Sequence, residues 1–129
     1  MLPVKIEVLN LGKIGREYRG VIEEYEKRLS SMAHIRFGHS SNLPSEAILL
    51  DPEGEEMNSE EFYHFLSRRA REGEKILFAV GPPEGFSDKG NHMLLSLSKL
   101  TFRHELAYLI LLEQIYRALL RMKGTRYEK

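Results

Sequence analysis

The run ILFAV, residues 76–80, lies between the charged REGEK (71–75) and the turn-rich GPPEG (81–85). Five consecutive apolar residues bounded by turn signals read as a strand covered on both faces. Such a strand belongs in the interior of a parallel sheet, so its neighbours in sequence should alternate helix and strand. They do. Upstream, Asn58 followed by Glu61 is a capping-box pattern that opens a helix through Arg71, which Gly73 closes. Before it, AILLD (47–51) is a second buried-type run, and DPEGE (51–55) turns the chain.

Further upstream, VKIEVLNL (4–11) sets Val4, Ile6 and Val8 against Lys5 and Glu7, the period of a strand with one buried face, and Gly12 ends it. Tyr18, Val21, Ile22, Tyr25 and Leu29 recur at helical spacing, giving an amphipathic helix to about Ser31. HIRF (34–37) reads as a short strand and GHSSNLPS (38–45) as a loop. Downstream of ILFAV come the Gly81–Gly85 turn, a segment whose Ser87 is suited to cap a helical turn, and the strand LLSL (94–97). A polar Ser-Lys-Leu-Thr corner then leads into a helix from about Phe102 to Lys123, stopped by Gly124. The expected architecture is α/β, a parallel sheet flanked by helices in a single domain, residues 1–129.

Composition narrows the function classes. The chain has no Cys, hence no disulfide framework and no thiolate zinc site, which fits a reducing, cytoplasmic setting. No apolar run reaches the roughly 18–20 residues that span a bilayer, and MLPVKIEVLN reads as a strand and not a secretory signal. Nineteen basic residues balance nineteen acidic ones, so bulk charge decides nothing about nucleic acid. Their distribution is uneven: seven Lys/Arg against three Glu from Lys99 to Lys129, six acids and no base from Asp51 to Glu61. A polyanion would be steered to the C-terminal part, although a solvated helix face has the same signature. In the last helix, Leu106, Leu109, Ile110, Leu112, Ile115, Leu119 and Leu120 form more than one apolar stripe. The excess suggests burial on two sides, which a homodimer would supply.

Open α/β sheets bind ligands beyond the carboxyl ends of their strands. Three such ends stand out: Leu50-Asp51, Gly81 in VGPPEGF, and Leu97 to Phe102. GPPEG is either a stiff turn or a loop that admits close approach of a ligand, and spacing alone favours the turn. Neither phosphate-binding glycine fingerprint occurs, nor a nucleophile elbow or a metal-binding His-Glu-x-x-His helix. His34, His39, His64 and His92 lack metal-ligand spacing, so no metal is expected. His104 is either a ligand-orienting group or a partly exposed helix residue. Glu113 and Arg117, spaced i, i+4, are either a surface pair or a substrate clamp.

Longer strings are more specific. LGKI (11–14), EYEKRLSSM (24–32), LLDPEGEEMNSEEF (49–62), FAVGPPEGFS (78–87) and above all LSLSKLTFRHELAYLILLEQIYRALLRMKGTRY (95–127) resemble the ribosomal RNA large-subunit methyltransferase H family of the SPOUT class. The resemblance covers nearly the whole chain in order. It implies a C-terminal trefoil knot, S-adenosyl-L-methionine as cofactor, and methylation of N3 of a pseudouridine in large-subunit (23S) ribosomal RNA. It also implies a homodimer in which the C-terminal tail of one subunit reaches the cofactor of the other. Carried over by position, the cofactor contacts fall on Leu50, Gly81, Leu97, Ser98, Lys99, Leu100, Thr101 and Phe102. The base-orienting and charge-handling residues fall on His104, Glu113, Arg117 and Tyr127, with Arg103, Arg121, Lys123 and Arg126 meeting phosphates of the RNA or assembled ribosome.

The chain departs from that family's usual pattern in four places. It ends Tyr127-Glu128-Lys129 where an imidazole usually follows the tyrosine, has Gly81-Pro82 for Gly-Gly, and has Arg103 for a proline. It also lacks a helix between HIRF and AILLD. The alternative implied by these departures is a non-catalytic relative that binds RNA or S-adenosylmethionine without transferring a methyl group.

Overall fold

The computed structural model describes residues 1–40 and 42–124. In chain order the elements are β1 (Leu2–Asn10), α1 (Arg16–Ser30), β2 (Ala33–His39), β3 (Ile48–Glu56), α2 (Ser59–Arg71), β4 (Ile76–Val80), β5 (Leu94–Ser96) and α3 (His104–Met122). The strands form one sheet in the order β2-β1-β4-β3-β5, and every pairing is parallel. The ILFAV strand, β4, lies between β1 and β3 with all five residues buried.

Alternation within β4 assigns the two faces. Ile76, Phe78 and Val80 join Val4, Ile6 and Val8 in the larger core, together with Ile22 and Leu29 of α1, Phe62, Phe65 and Leu66 of α2, and Leu111, Leu112, Ile115 and Leu119 of α3. Each fully buried side chain of this size contributes about 1.5–3 kcal/mol. Leu77 and Ala79 point the other way, into a smaller cluster with Leu9, Ala47 and Leu49. That cluster takes no residue from a helix; Leu43 and Phe86, from the two connections, pack against it instead. The helices therefore cover one face of the sheet, and loops cover the other.

Local signals behave as their chemistry dictates. The Asn58 side chain accepts the Glu61 N–H at 2.7 Å and the Glu61 carboxylate accepts the Asn58 N–H at 2.9 Å, closing the capping box that starts α2. Gly73 (φ 70°) and Gly124 (φ 84°) follow the ends of α2 and α3 in the left-handed conformation that glycine adopts without steric cost.

Three expectations are corrected. HIRF is the middle of a seven-residue strand, β2, held in register along β1. DPEGE does not end its strand: β3 continues to Glu56, but Leu95 faces both Leu50 and Glu55, so residues 51–54 bulge out of the ladder and the strand then resumes. Gly54 makes this possible, because a Cβ there would lie 2.5 Å from the Leu94 carbonyl carbon. No helical turn starts at Ser87; Gly85 and Gly90 both have positive φ, and Asp88 accepts the Gly90 N–H, so the segment folds as successive turns.

From the sheet edge at β5 the chain returns over the centre, since α3 packs on α1 and α2 and reaches β1 and β4. Tyr25 and Tyr116 meet edge to face at 5.8 Å, and the Tyr108 hydroxyl donates to Glu26 at 2.7 Å. Burial, with the Glu26 carboxylate beside it, pushes the Tyr108 phenol well above its ordinary range. Leu106, Leu109, Ile110 and Leu120 remain half-buried, a second apolar arc on the same helix.

Candidate cofactor cleft and catalytic residues

The carboxyl ends of β4, β3 and β5 stand side by side, and a cleft of about 240 Å³ opens between them and the start of α3. Seven of the eight residues expected at the cofactor line it: Leu50, Gly81, Leu97, Ser98, Leu100, Thr101 and Phe102. Lys99 does not. Its side chain is 84% exposed and its Nζ lies 3.8 Å from Glu56, so only its main chain belongs to the corner.

Two serines shape that corner. The Ser96 hydroxyl donates to the Ser98 carbonyl at 2.8 Å, and the Ser98 Oγ accepts the Leu100 N–H at 3.0 Å. These bonds fold the chain tightly and leave Leu100 at the rim of the cleft, 70% exposed. An isolated leucine this exposed gains nothing from water, but it would gain from a ligand laid across the rim.

The GPPEG segment resolves between its two readings. The Phe86 ring folds back over Gly81, so closely that a Cβ at position 81 would lie 3.0 Å from it. Gly81 thus lets the Phe86 ring approach closely, and Gly85 is favoured by its φ of 83°. Pro82, Pro83 and Phe86 form a wall of the cleft. The segment is a stiff turn and a cleft wall at once.

Asp51 is buried beside the same cleft. Its Oδ1 accepts the Glu53 N–H at 2.8 Å and its Oδ2 lies 3.0 Å from Lys89 Nζ, which is also 2.6 Å from Glu53. The two carboxylates, Glu53 first and then Asp51, hold the Lys89 ammonium above its ordinary value. This pins the 51–54 bulge to the β4–β5 connection.

Sequence reasoning missed a wider pattern. The buried polar side chains among the described residues are Asn10, Asp51, Ser96 and Glu105, at a strand end, at the start of the β3 bulge or at the start of α3. Each holds a loop by a main-chain bond: Gly12 N–H to Asn10, Glu53 N–H to Asp51, Ser96 to the Ser98 carbonyl, and Gly15 N–H to Glu105 at 3.0 Å. The one signal available beforehand was a polar residue closing each apolar run.

His104, at the start of α3, lines the cleft and is largely buried. Its ring is 9% exposed, donates from Nε2 to the Lys13 carbonyl, and lies so close to Gly12 that a Cβ there would be 2.5 Å from Cδ2. Its Nδ1 is 3.5 Å from Glu105 Oε1. Burial pushes the Glu105 carboxyl up, but the Gly15 N–H it accepts, its own N–H, His104 and Arg103 outweigh that and hold it below its ordinary value. His104 thus ties the β1–α1 loop to the cleft.

Glu113 and Arg117 form a half-buried pair at 3.1 Å. At 1.5 Å rise per residue they lie about 14 and 20 Å along α3 from His104, and neither lines the cleft. Tyr127 and Arg126 lie outside the described residues. Within one copy of the described chain, the candidate catalytic residues do not converge. Arg121, expected at phosphates, is bound by both oxygens of Glu60 and stacks 4.1 Å over the Tyr63 ring. Among the described residues, no cluster of three or more His, Asp or Glu is arranged to hold a metal, and no helix is long and apolar enough to cross a membrane.

A parallel sheet with a ligand-sized cleft across adjacent strand ends defines an α/β ligand-binding class. The family model described as "Predicted SPOUT methyltransferase" matches residues 39–128, which contain the whole cleft. The protein named ribosomal RNA large subunit methyltransferase H from Coprothermobacter proteolyticus is 37% identical over 139 residues, covering 98% of this chain and all of its own. Its namesake from Caldicellulosiruptor saccharolyticus is 33% identical, covering 96% and 99%. That from a Thermotoga species is 37% identical, covering 95% and 79%. The chain belongs to the ribosomal RNA large subunit methyltransferase H family of SPOUT methyltransferases.

Proposed function

We propose that this chain is a cytoplasmic, homodimeric enzyme that transfers a methyl group from S-adenosyl-L-methionine to N3 of a pseudouridine in large-subunit ribosomal RNA. The observation that carries the reading is the gathering of Leu50, Gly81, Leu97, Ser98, Leu100, Thr101 and Phe102 around one cleft from three separate strand ends. The names of the relatives support the acceptor class. With them the reading includes the trefoil knot, in which the segment after β5 threads through an earlier loop.

The cleft suits an adenosyl group on its own chemistry. Leu97, Leu100, Phe102 and Phe86 offer apolar cover for a flat heterocycle, and Ser98 is already engaged locally, which leaves other main-chain groups of the corner to read the heterocycle's edge. When bound, S-adenosyl-L-methionine supplies a methyl carbon made electrophilic by its sulfonium. The protein's part is then to hold the acceptor nitrogen in line and accept its proton. Glu113 supplies a carboxylate and Arg117 a guanidinium, already paired at 3.1 Å, with Tyr127 beyond the described residues completing the group. Because that pair lies away from the cleft of its own copy, we assign it to the cleft of a second copy. The half-exposed arc of Leu106, Leu109, Ile110 and Leu120 is the surface through which two copies would meet.

The test is incubation of ribosomes with methyl-labelled S-adenosyl-L-methionine. Label in large-subunit ribosomal RNA, lost in Arg117→Ala and retained in Lys27→Ala, is the expected result. Cofactor affinity by calorimetry without any transfer would instead favour the non-catalytic binding module. A monomer by light scattering at micromolar concentration would overturn the shared site.

A further inference from the structure

A second groove, of about 820 Å³, opens directly beside the cofactor cleft and shares Pro83, Thr101, Phe102 and His104 with it. Its other wall is the β1–α1 loop and the first turn of α1, carrying Lys13, Arg16 and Arg19, with Arg103 at the near end. The charge balance is one-sided: four cations, against Glu105 as the lining carboxylate. Glu105 is buried and already accepts the Gly15 N–H.

These cations are available. Lys13, Arg16 and Arg19 are exposed, and among the described residues Lys13 and Arg16 form no ion pair. Arg19 donates only to the Ile14 carbonyl, at 3.4 Å, and Arg103 keeps loose contacts of 3.6 and 3.7 Å with Glu105 and Glu17. Arg121 of α3, by contrast, is held by both oxygens of Glu60. His104 adds a mechanical link, because its bond to the Lys13 carbonyl holds the basic loop at a set place relative to the cleft.

We propose that this groove is the phosphate-binding track for the acceptor RNA, with Lys13, Arg16 and Arg19 seating the backbone so that the target base enters the cleft past Thr101 and His104. The proposal rests on the RNA methyltransferase reading and adds where the RNA lies: along the β1–α1 loop, not along the C-terminal helix.

The experiment is fluorescence anisotropy with a labelled ribosomal RNA stem-loop containing a pseudouridine, titrated with full-length protein at several salt concentrations. The Lys13→Ala/Arg16→Ala/Arg19→Ala variant should bind at least tenfold more weakly, with a salt slope reduced by about 2, the sum of three single-strand phosphate contacts at roughly 0.7 each. The charge-matched Lys27→Ala/Arg68→Ala/Arg71→Ala variant should stay within twofold of wild type, and both should keep the wild-type cofactor affinity. Because a surface triple variant can still misfold, photocrosslinking of thiouridine-substituted RNA to wild-type protein gives a second readout, with crosslinks expected in residues 12–19. Equal binding by the two triple variants, or crosslinks confined to α2 and the end of α3, would overturn the track while leaving the function standing. No RNA binding by the wild type would overturn both.

Discussion

The cleft at the ends of β3, β4 and β5 and the Glu113–Arg117 face of α3 differ in how finished they are. The cleft is assembled within one chain, two of its walls fixed by part-buried bonds between side chain and main chain, Asp51 with Glu53 and Ser96 with Ser98. The Glu113–Arg117 pair sits on α3 away from the residues that line this cleft. Under the proposed function the first would hold the cofactor within one copy, and the second would serve the cleft of another.

Mixing variants strikes at that comparison with the largest expected effect. Arg117→Ala homodimers should lose transfer by about a hundredfold or more, the scale of removing one charge-stabilising group. Gly81→Val homodimers should fail through the cleft, because the new side chain displaces Phe86. Co-refolded, the two should recover about a quarter of wild-type transfer if two copies share each site as proposed, since half of such dimers would be mixed and each mixed dimer would have one intact site. No recovery would place Arg117 in the site of its own chain.

Next in size come two glycines whose obstacles differ. Gly54→Ala meets the Leu94 carbonyl carbon at 2.5 Å, a backbone that cannot move without separating β3 from β5. A loss of about 3 kcal/mol is expected, with weaker cofactor binding. Gly12→Ala meets the His104 ring at 2.5 Å, a side chain that can swing away, and about 1 kcal/mol is expected. Thermal unfolding gives the order, and a larger loss at Gly12 would contradict it.

Leu100→Ala separates binding from stability. At 70% exposure the side chain contributes little to folding, so the melting temperature should hold while the cofactor dissociation constant rises about fivefold by calorimetry. Lys99→Ala, with its side chain directed to Glu56, should cost less than that.

The smallest effect is a pH dependence. The Glu105 carboxyl is held below its ordinary value of 4.5 in the folded state, so its stabilising contribution is complete above that value and is lost as pH falls through the lower folded value. Melting curves of wild type and Glu105→Gln should run parallel above pH 4.5 and converge below it. Convergence on raising the pH would reverse the assignment.

Much of this was legible in the chain itself. The apolar runs at 47–51 and 76–80 sit side by side as β3 and β4, and Asn58 with Glu61 caps α2 as their spacing requires. Both rest on interactions within a few residues or on hydropathy alone. The register of β3 against β5 was not legible, because the bulge at 51–54 depends on Gly54 meeting Leu94, forty residues away. Ser87 read as a cap, but the positive φ of Gly85 and Gly90 decided otherwise.

By its pattern alone the sequence determined the alternation of strand and helix, the interior place of β4, and three strand ends with chemistry to offer, since periodicity, capping and burial act locally on residues close in the chain. Tertiary structure alone decided that these ends share one cleft, that His104 reaches the Lys13 carbonyl across 91 residues, and that Glu105 holds Gly15 across 90. Contacts of that span leave no periodic trace, because a side chain's partner is chosen by where the whole sheet brings the chain back.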